Sequence, residues 1–207
     1  MTLTPSQLNR LEAAFKVGAA DASTAMATWL GVPSLITIES VEQKPTADAV
    51  ELLGGPDDVV CFCAMDLTGA LTGHLVLSFD DVSGLSLADL LLSQSTGTSA
   101  EWTEVEQSAA LETHNIIGCA YLNTLAKQLP SSGNELELIP SPPSFHRDFA
   151  ESLLEAVLMG QATASDSIFV AQARFELRGQ PLNWTLLFVP DAPSMQTLQT
   201  LLTETPS

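Results

Sequence analysis

Three polar residues, Ser108, Glu112 and Asn115, are spaced four and three residues apart in a segment whose apolar pattern predicts a helix. At 3.6 residues per turn, this spacing places them along one side of that helix. A carboxamide donates and accepts hydrogen bonds while staying neutral, so it can orient a water molecule, and a carboxylate beside it can bind a cation. We predict that this polar stripe is the functional site; the alternative is an ordinary solvated helix face.

The helix that carries the stripe is predicted from Thr103 to Pro130. Thr103 and Glu106 form the pattern of a capping box, in which each side chain accepts a hydrogen bond from a backbone amide at the helix start. Proline cannot continue a helix, so Pro130 ends it. A second set of positions forms a narrow apolar arc that should face the core. These positions are Leu111, Gly118, Leu122, Leu125 and Leu129.

Composition excludes several classes of function. The 207 residues are 45% hydrophobic and carry a net charge of -18, from 25 acidic and 7 basic residues. A nucleic-acid-binding protein needs a basic patch, which seven scattered basic residues do not provide, and an anionic membrane surface is disfavoured for the same reason. The N-terminus lacks the features of a signal peptide, and no apolar run is long enough to span a membrane. We therefore expect a cytoplasmic protein whose partner is a protein with a basic or metal-bearing face, or a small ligand.

The cysteines and histidines do not predict a metal site. Cys61, Cys63 and Cys119 have neither a CxxC spacing nor a Cys/His ligand spacing, so we expect free thiols. His114 is predicted to lie on the surface, and His74 and His146 have no carboxylate at ligand spacing. Asp80-Asp81 is interpreted as the cap of the helix that follows.

The chain order predicts two similar halves. Each half has the pattern helix, strand, helix, hairpin, helix, with the first half ending near residue 94 and the second running from 103 to 207. The polar segment from 93 to 101 is the best candidate for a linker between them. In the second half, a strand over 135–139 is followed by a rigid turn at Pro142-Pro143.

Hairpins together with helices predict the α+β class. We expect one domain, with two long helices packed on one face of a mainly antiparallel six-stranded sheet. The two halves would be related by a pseudo-twofold axis. Because an internal duplication already supplies the pairing that a homodimer would provide, we expect a monomer.

The stripe and the segment IIGCAYLN that follows it resemble the signature helix of the CheC/CheX/FliY family of response-regulator phosphatases, and most of all CheC. The resemblance extends to LIPSPP at 138–143, LLEAV at 153–157 and LFVPD at 187–191, and to GALTGHLVLSFDD in the first half. It implies the same tandem fold and the hydrolysis of an aspartyl phosphate on a CheY-like receiver.

The resemblance also implies a role for each residue of the stripe. Asn115 would orient the hydrolytic water, and Glu112 would pair with the receiver's phosphate-contacting lysine. Ser108 would contact the partner or support Glu112. The protein would need no cofactor or metal of its own, because the receiver would supply Mg²⁺.

The first long helix departs from the motif, since Asn9, Ala13 and Lys16 stand where Ser108, Glu112 and Asn115 stand in the second. Ala13 has no carboxylate and Lys16 cannot accept a hydrogen bond, so we expect a structural helix without an active site. This loss leaves two other functions open. One is a CheC-like adaptor that binds a receiver or a CheD-like deamidase with little or no turnover. The other is a structural part of the flagellar switch, as FliY-like proteins suggest.

Overall fold

The computed structural model describes residues 2–55, 57–129, 136–159, 167–177 and 180–203. In these ranges, the chain forms six helices and seven strands. They are α1 (Pro5–Leu30), β1 (Ser34–Pro45), α2 (Thr46–Leu52), β2 (Val59–Gly69), β3 (Gly73–Phe79), α3 (Asp81–Leu91), α4 (Glu104–Gln128), β4 (Leu138–Pro140), β5 (Ser144–Phe149), α5 (Ala150–Met159), β6 (Ser167–Leu177), β7 (Gln180–Pro190) and α6 (Ala192–Thr203).

The strands form one sheet in the order β1-β6-β7-β3-β2-β4, and each described pair is antiparallel. β5 also pairs with β2, beside Val59–Ala64, whereas β4 pairs with the other end of β2, beside Leu67–Gly69. The predicted α+β class is therefore confirmed. The sheet has seven strands rather than six, because the edge beside β2 is interrupted between β4 and β5. The strand predicted over 135–139 begins at Leu138 within the described residues.

Each half of the chain supplies the edge strands that pair with the other half. β1 pairs with β6 of the second half, and β4 and β5 pair with β2 of the first half, while β3 and β7 meet at the centre. Two repeats related by a twofold axis between β3 and β7 would have this order. The duplication itself stays a prediction.

Apolar side chains cover both faces of the sheet. Along β2, Cys61, Cys63 and Met65 contribute to the core beneath the long helices, whereas Val60 and Phe62 belong to a second core beneath α2 and α5. A strand that is buried on both faces is typically apolar at nearly every position, as β2 is. The structure thus adds a third layer to the predicted two-layer arrangement, formed by the short helices α2 and α5.

Both long helices begin with capping boxes, Thr4 with Gln7 in α1 and, as predicted, Thr103 with Glu106 in α4. α1 ends at Gly31, whose φ of 66° is a left-handed conformation that glycine adopts without a steric penalty. Pro130, the predicted end of α4, lies outside the described residues. The position of the stripe along α4 is thus set by a local hydrogen-bond pattern at the start of the helix.

The segment predicted as a linker is folded against Asp89 at the end of α3. The carboxylate of Asp89 is fully buried and accepts hydrogen bonds from the backbone amides of Thr98 and Ser99, both at 2.9 Å. The Ser99 hydroxyl in turn donates to Glu106 Oε1 at 3.1 Å. The segment therefore fixes the start of α4 relative to α3.

Candidate functional site

The polar stripe lies on the solvent side of α4. Ser108 and Glu112 are exposed and Asn115 is half-buried, whereas Ile117 and Tyr121 are buried in the core. The periodicity of the helix explains this division, because residues about half a turn apart face opposite sides. The structure therefore brings the three predicted site residues together on one accessible ridge.

The ridge forms one wall of a groove of about 530 Å³. The opposite wall is the segment that interrupts the sheet edge between β4 and β5. The lining residues are Ser108, Leu111, Glu112, Asn115, Cys119, Pro140, Ser141, Pro142 and Pro143. A molecule that contacts Asn115 in this groove therefore lies beside the proline-rich segment as well.

Glu112 and Asn115 are available to bind a partner. In the described part of the chain, Glu112 has no hydrogen-bonded partner, and Asn115 Oδ1 has only a weak contact, at 3.8 Å, from the Cys119 thiol. Burial and the nearby charge of Glu112 raise the pKa of Cys119, so the thiol stays protonated and can donate to Asn115. Among the described residues, the groove thus presents an unpaired carboxylate and a carboxamide whose nitrogen has no acceptor.

Ser108 lies one turn before Glu112 at the end of the groove. Within the described ranges no hydrogen bond joins Ser108 to Glu112 or to another residue. Of the two roles considered for Ser108, the geometry favours direct contact with a partner over support of Glu112.

The corresponding positions on α1 are also exposed, but they carry different chemistry. Lys16 Nζ lies 2.6 Å from Glu12 Oε1, one turn earlier on the same helix. The positive charge at the Asn115-equivalent position is thus paired within α1, and Asn9 and Ala13 offer no carboxylate beside it. These side chains do not reproduce the arrangement on α4.

The prediction that His114 lies on the surface is wrong. His114 is fully buried, and its Nε2 lies 3.1 Å from the backbone oxygen of Leu75 in the sheet. Burial lowers the pKa of His114 to about 4, so the ring is neutral near pH 7. Of the predicted core arc, Gly118, Leu122, Leu125 and Leu129 are buried as expected, whereas Leu111 is half-buried and lines the groove. Ala110, Ile117 and Tyr121, which are buried around His114, were the sequence signal for the correct face.

The other histidines make local contacts. His74 Nδ1 lies 2.9 Å from Asp66 Oδ1 on the neighbouring strand, a carboxylate contact that the sequence spacing did not predict. His146 Nε2 lies 2.9 Å from the Ser144 hydroxyl. Among the described residues no group of three or more His, Cys, Asp or Glu side chains is placed to hold a metal ion.

Cys61 and Cys63 are buried free thiols, as the spacing predicted. Burial raises the pKa of Cys63 to about 12, and it also raises the pKa of Cys61. The predicted capping role of Asp80 is confirmed, since its carboxylate accepts a hydrogen bond from the Ser83 amide at 2.6 Å.

One polar cluster was not predicted from the sequence. Asp81 forms two hydrogen bonds with Arg147 of β5, at 2.8 and 2.6 Å, and accepts a third from Trp102 Nε1 at 2.8 Å. These contacts join α3, the edge strand β5 and Trp102, which lies two residues before the start of α4. They are formed between residues far apart in the sequence, so only the fold reveals them.

Comparisons with known proteins identify the fold. No family model matches the sequence. Among solved structures, Thermotoga maritima FliY matches with a TM-score of 0.77 and 19% identity, over 98% of each chain. The FliM middle domain from H. pylori matches with a TM-score of 0.66 and 12% identity, over 96% of this chain and 99% of that one.

A third match is to the Borrelia burgdorferi complex of CheX with CheY, BeF3 and Mg²⁺, with a TM-score of 0.50 and 17% identity, over 86% of this chain and 97% of that one. The described chain contains no helix long and apolar enough to cross a membrane. At these identities the likeness establishes the fold, and it does not single out CheC. The chain has the fold of the CheC/CheX/FliY/FliM group of proteins.

Proposed function

We propose that this protein is a phosphatase that removes the aspartyl phosphate of a CheY-like response regulator, with its active site at Glu112 and Asn115 on α4. The observation that carries the proposal is the position of the two side chains. Both face solvent in one groove, and Glu112 has no hydrogen-bonded partner among the described residues. A protein of the same fold, CheX, is known in complex with CheY, BeF3 and Mg²⁺.

Hydrolysis of an acyl phosphate transfers the phosphoryl group to water. The phosphorus–oxygen bond to the receiver aspartate breaks, a bond to the water oxygen forms, and the products are a free carboxylate, inorganic phosphate and a proton. Catalysis of this reaction is mainly positioning and electrostatic stabilisation. Asn115 orients the attacking water in line with the breaking bond, because its carboxamide can donate and accept hydrogen bonds at once.

Glu112 determines the register of docking in this mechanism. Its carboxylate pairs with the lysine beside the receiver's phosphate, and such a pair becomes strong when the interface excludes water. Ser108 contacts the receiver at the end of the groove. In this mechanism the Mg²⁺ ion is held by the receiver. We further propose that the protein acts as a monomer in the cytoplasm, where receiver proteins are phosphorylated.

The test is the decay of a phosphorylated receiver from the same genome, with wild-type protein and with Glu112→Ala/Asn115→Ala. We expect wild type alone to accelerate the decay. Asn115→Ala by itself should reduce the acceleration by about 10- to 100-fold, because the water is no longer oriented. Asn123→Ala, at an exposed position two turns further along α4, is the matched control and should behave as wild type. Equal acceleration by wild type and the double variant would place the active site elsewhere.

The second candidate is an adaptor that binds a receiver or a CheD-like deamidase without turnover. The loss of the motif on α1, where Asn9, Ala13 and Lys16 replace it, favours this alternative. An adaptor would bind a BeF3-activated receiver or the deamidase and leave the lifetime of the phosphorylated receiver unchanged.

A further inference from the structure

The segment Ser141–Pro143 interrupts the edge of the sheet beside the proposed site. β4 ends with Pro140 opposite Leu67, and β5 begins with Ser144 opposite Ala64. Two residues of β2 therefore face three residues of the edge strand, and the extra residue forces the chain out of the ladder. Pro142 and Pro143 have no amide to donate to β2, so they cannot restore the pairing.

Ser141 holds the interrupted segment in place. Its backbone amide donates to the backbone carbonyl oxygen of Asp66 at 2.8 Å, and its hydroxyl accepts a hydrogen bond from the backbone amide of Asp66 at 2.9 Å. The hydroxyl thus replaces the carbonyl that a regular edge strand would have offered to Asp66. It also donates to the Pro142 carbonyl at 3.0 Å. The two prolines are rigid in φ, and this clamp fixes them to the sheet.

The interruption lies only beside the long helix that carries Glu112 and Asn115, as far as the described residues show. Its counterpart at the other edge is β1, which runs from Ser34 to Pro45 beside β6 without a gap and has one bulge near Ile38. In the described residues, the interrupted edge strand and the intact Glu112/Asn115 pair therefore belong to the same half of the chain, whereas the half with the continuous strand β1 lacks the motif. The half with the intact pair has a rigid apolar wall facing that pair.

We propose that Ser141–Pro143 is a docking surface for the receiver, forming the second wall of the site and contacting the backbone around the receiver's phosphoaspartate. This inference rests on the proposed function. Its basis is geometric: Asn115 and the prolines line one groove of about 530 Å³, so a receiver that reaches Asn115 must occupy the space beside Pro142 and Pro143. Among the described residues that line this groove, Glu112 is the one charged side chain, so the groove complements a lysine-bearing partner.

The segment Ser141–Pro143 increases the affinity for the receiver and does not change the rate of the chemical step. Pro142 is exposed and Pro143 is half-buried, so both can lose water-accessible apolar surface when a partner binds. Because the rings are held before binding, little conformational entropy is lost when the complex forms. Asn115 still orients the water once a receiver is bound.

The experiment compares wild type, Pro142→Ala/Pro143→Ala, Ser141→Ala and Ser141→Thr, with Pro193→Ala, an exposed proline in α6, as the matched control. Two quantities are measured for each protein. The first is the Kd for the same receiver activated with BeF3 and Mg²⁺. The second is the maximal rate of decay of the phosphorylated receiver at saturating protein.

We expect the double proline variant to raise the Kd by about five- to tenfold and to leave the maximal rate within about twofold of wild type. Ser141→Ala should shift the Kd in the same direction, and Ser141→Thr, which keeps the hydroxyl, should restore it. Pro193→Ala should match wild type. Thermal unfolding identifies any variant that fails to fold. The double proline variant keeps Ser141, so it tests the proline rings separately from the Ser141 hydrogen bonds.

The two measurements distinguish a failure of the docking inference from a failure of the proposed function. If wild type accelerates the decay and the double proline variant binds the receiver as tightly as wild type, the docking inference is wrong and the proposed function stands. If wild type neither binds nor accelerates the decay of the receivers tested, the proposed function fails and the docking inference fails with it. A lower maximal rate with an unchanged Kd would also overturn the inference, since it would place the prolines in the chemical step.

Discussion

Gly18 of α1 lies directly against the ring of Tyr121 of α4: a Cβ atom at Gly18 would be 2.7 Å from Tyr121 Cδ1. This contact joins the helix that lacks the motif to the helix that carries it. Because Tyr121 is buried on the side of α4 away from the groove, close packing of α1 holds the polar stripe towards solvent. α1 is thus required for the site even though its own motif is absent.

Gly18→Ala should destabilise the protein by about 1–3 kcal/mol, because the added methyl group collides with a buried ring that cannot move freely. In an unobstructed helix the same change would stabilise by about 0.5–1 kcal/mol. Urea unfolding measures the difference. In a Tyr121→Leu background the penalty should disappear, and a penalty that persists there would show that another neighbour is responsible.

Protonation of His114 should make the protein less stable in mild acid. Its folded-state pKa is about 4 against an ordinary value of 6.5, so between these values the unfolded chain binds more protons than the folded one. The contribution of neutral His114 to the free energy of unfolding is therefore fully present above about pH 6.5. It is lost as the pH decreases to about 4, which lowers the free energy of unfolding by a total of about 3 kcal/mol.

The measurement for His114 is the free energy of unfolding from pH 7.5 to pH 4, for wild type and His114→Gln. The variant should lose less stability over this range, because the titrating group is absent. Parallel curves for the two proteins would show that other groups cause the acid sensitivity.

The contact between Asp81 and Arg147 should stabilise the edge strand except at very low pH. The hydrogen bonds from Arg147, together with one from Trp102, lower the pKa of Asp81 to about 2 from an ordinary value of 3.8. A carboxyl with a lowered pKa contributes its stability above the unfolded pKa, and the contribution is lost as the pH falls from about 4 to about 2.

Both side chains are partly exposed, so we expect Asp81→Asn to cost no more than about 1 kcal/mol at pH 7. The difference from wild type in urea unfolding should shrink towards zero near pH 2. A difference of the same size at pH 7 and pH 2 would contradict an electrostatic origin. Lys44→Met, which removes a partly exposed ion pair with Glu42, is a control for general charge effects.

The Cys119 thiol should react with a thiol reagent in the native protein, and it should also affect the rate of dephosphorylation. Its side chain is half-buried in the groove, whereas Cys61 and Cys63 are buried, so a thiol reagent should label Cys119 first in the native protein. Labelling should be slow near pH 7, because the pKa of Cys119 is raised. A BeF3-activated receiver should protect this thiol.

The Cys119 thiol contacts Asn115 Oδ1, so it helps to fix the orientation of the carboxamide. Cys119→Ala should lower the maximal rate of dephosphorylation by about two- to fivefold, the modest effect of one weak hydrogen bond. Cys119→Ser keeps a donor and should recover most of that rate. Equal rates for wild type and both variants would show that Asn115 is oriented without the thiol.

Local rules explain the features that were predicted correctly. The capping box at Thr103 depends on residues within one helical turn, so the sequence pattern was sufficient. The polar stripe faces solvent because Ser108, Glu112 and Asn115 share one side of α4, and helical periodicity alone places them there. Their catalytic role stays a prediction. The α+β class followed from hairpins and helices, which are also short-range patterns.

Long-range packing decided the rest. His114 is buried because α4 packs against both α1 and the sheet, so the buried arc is wider than the leucine pattern and includes polar residues. The exchange of edge strands and the pairing of β5 with β2 depend on residues at least 69 positions apart in the chain, the separation of Gly69 and Leu138, which periodicity does not relate. The proline turn was visible in the sequence, but its place opposite Glu112 and Asn115 was not. By itself the sequence determined which side chains the two long helices present, and the tertiary structure decided which of them share a groove, because a groove forms only where distant elements meet.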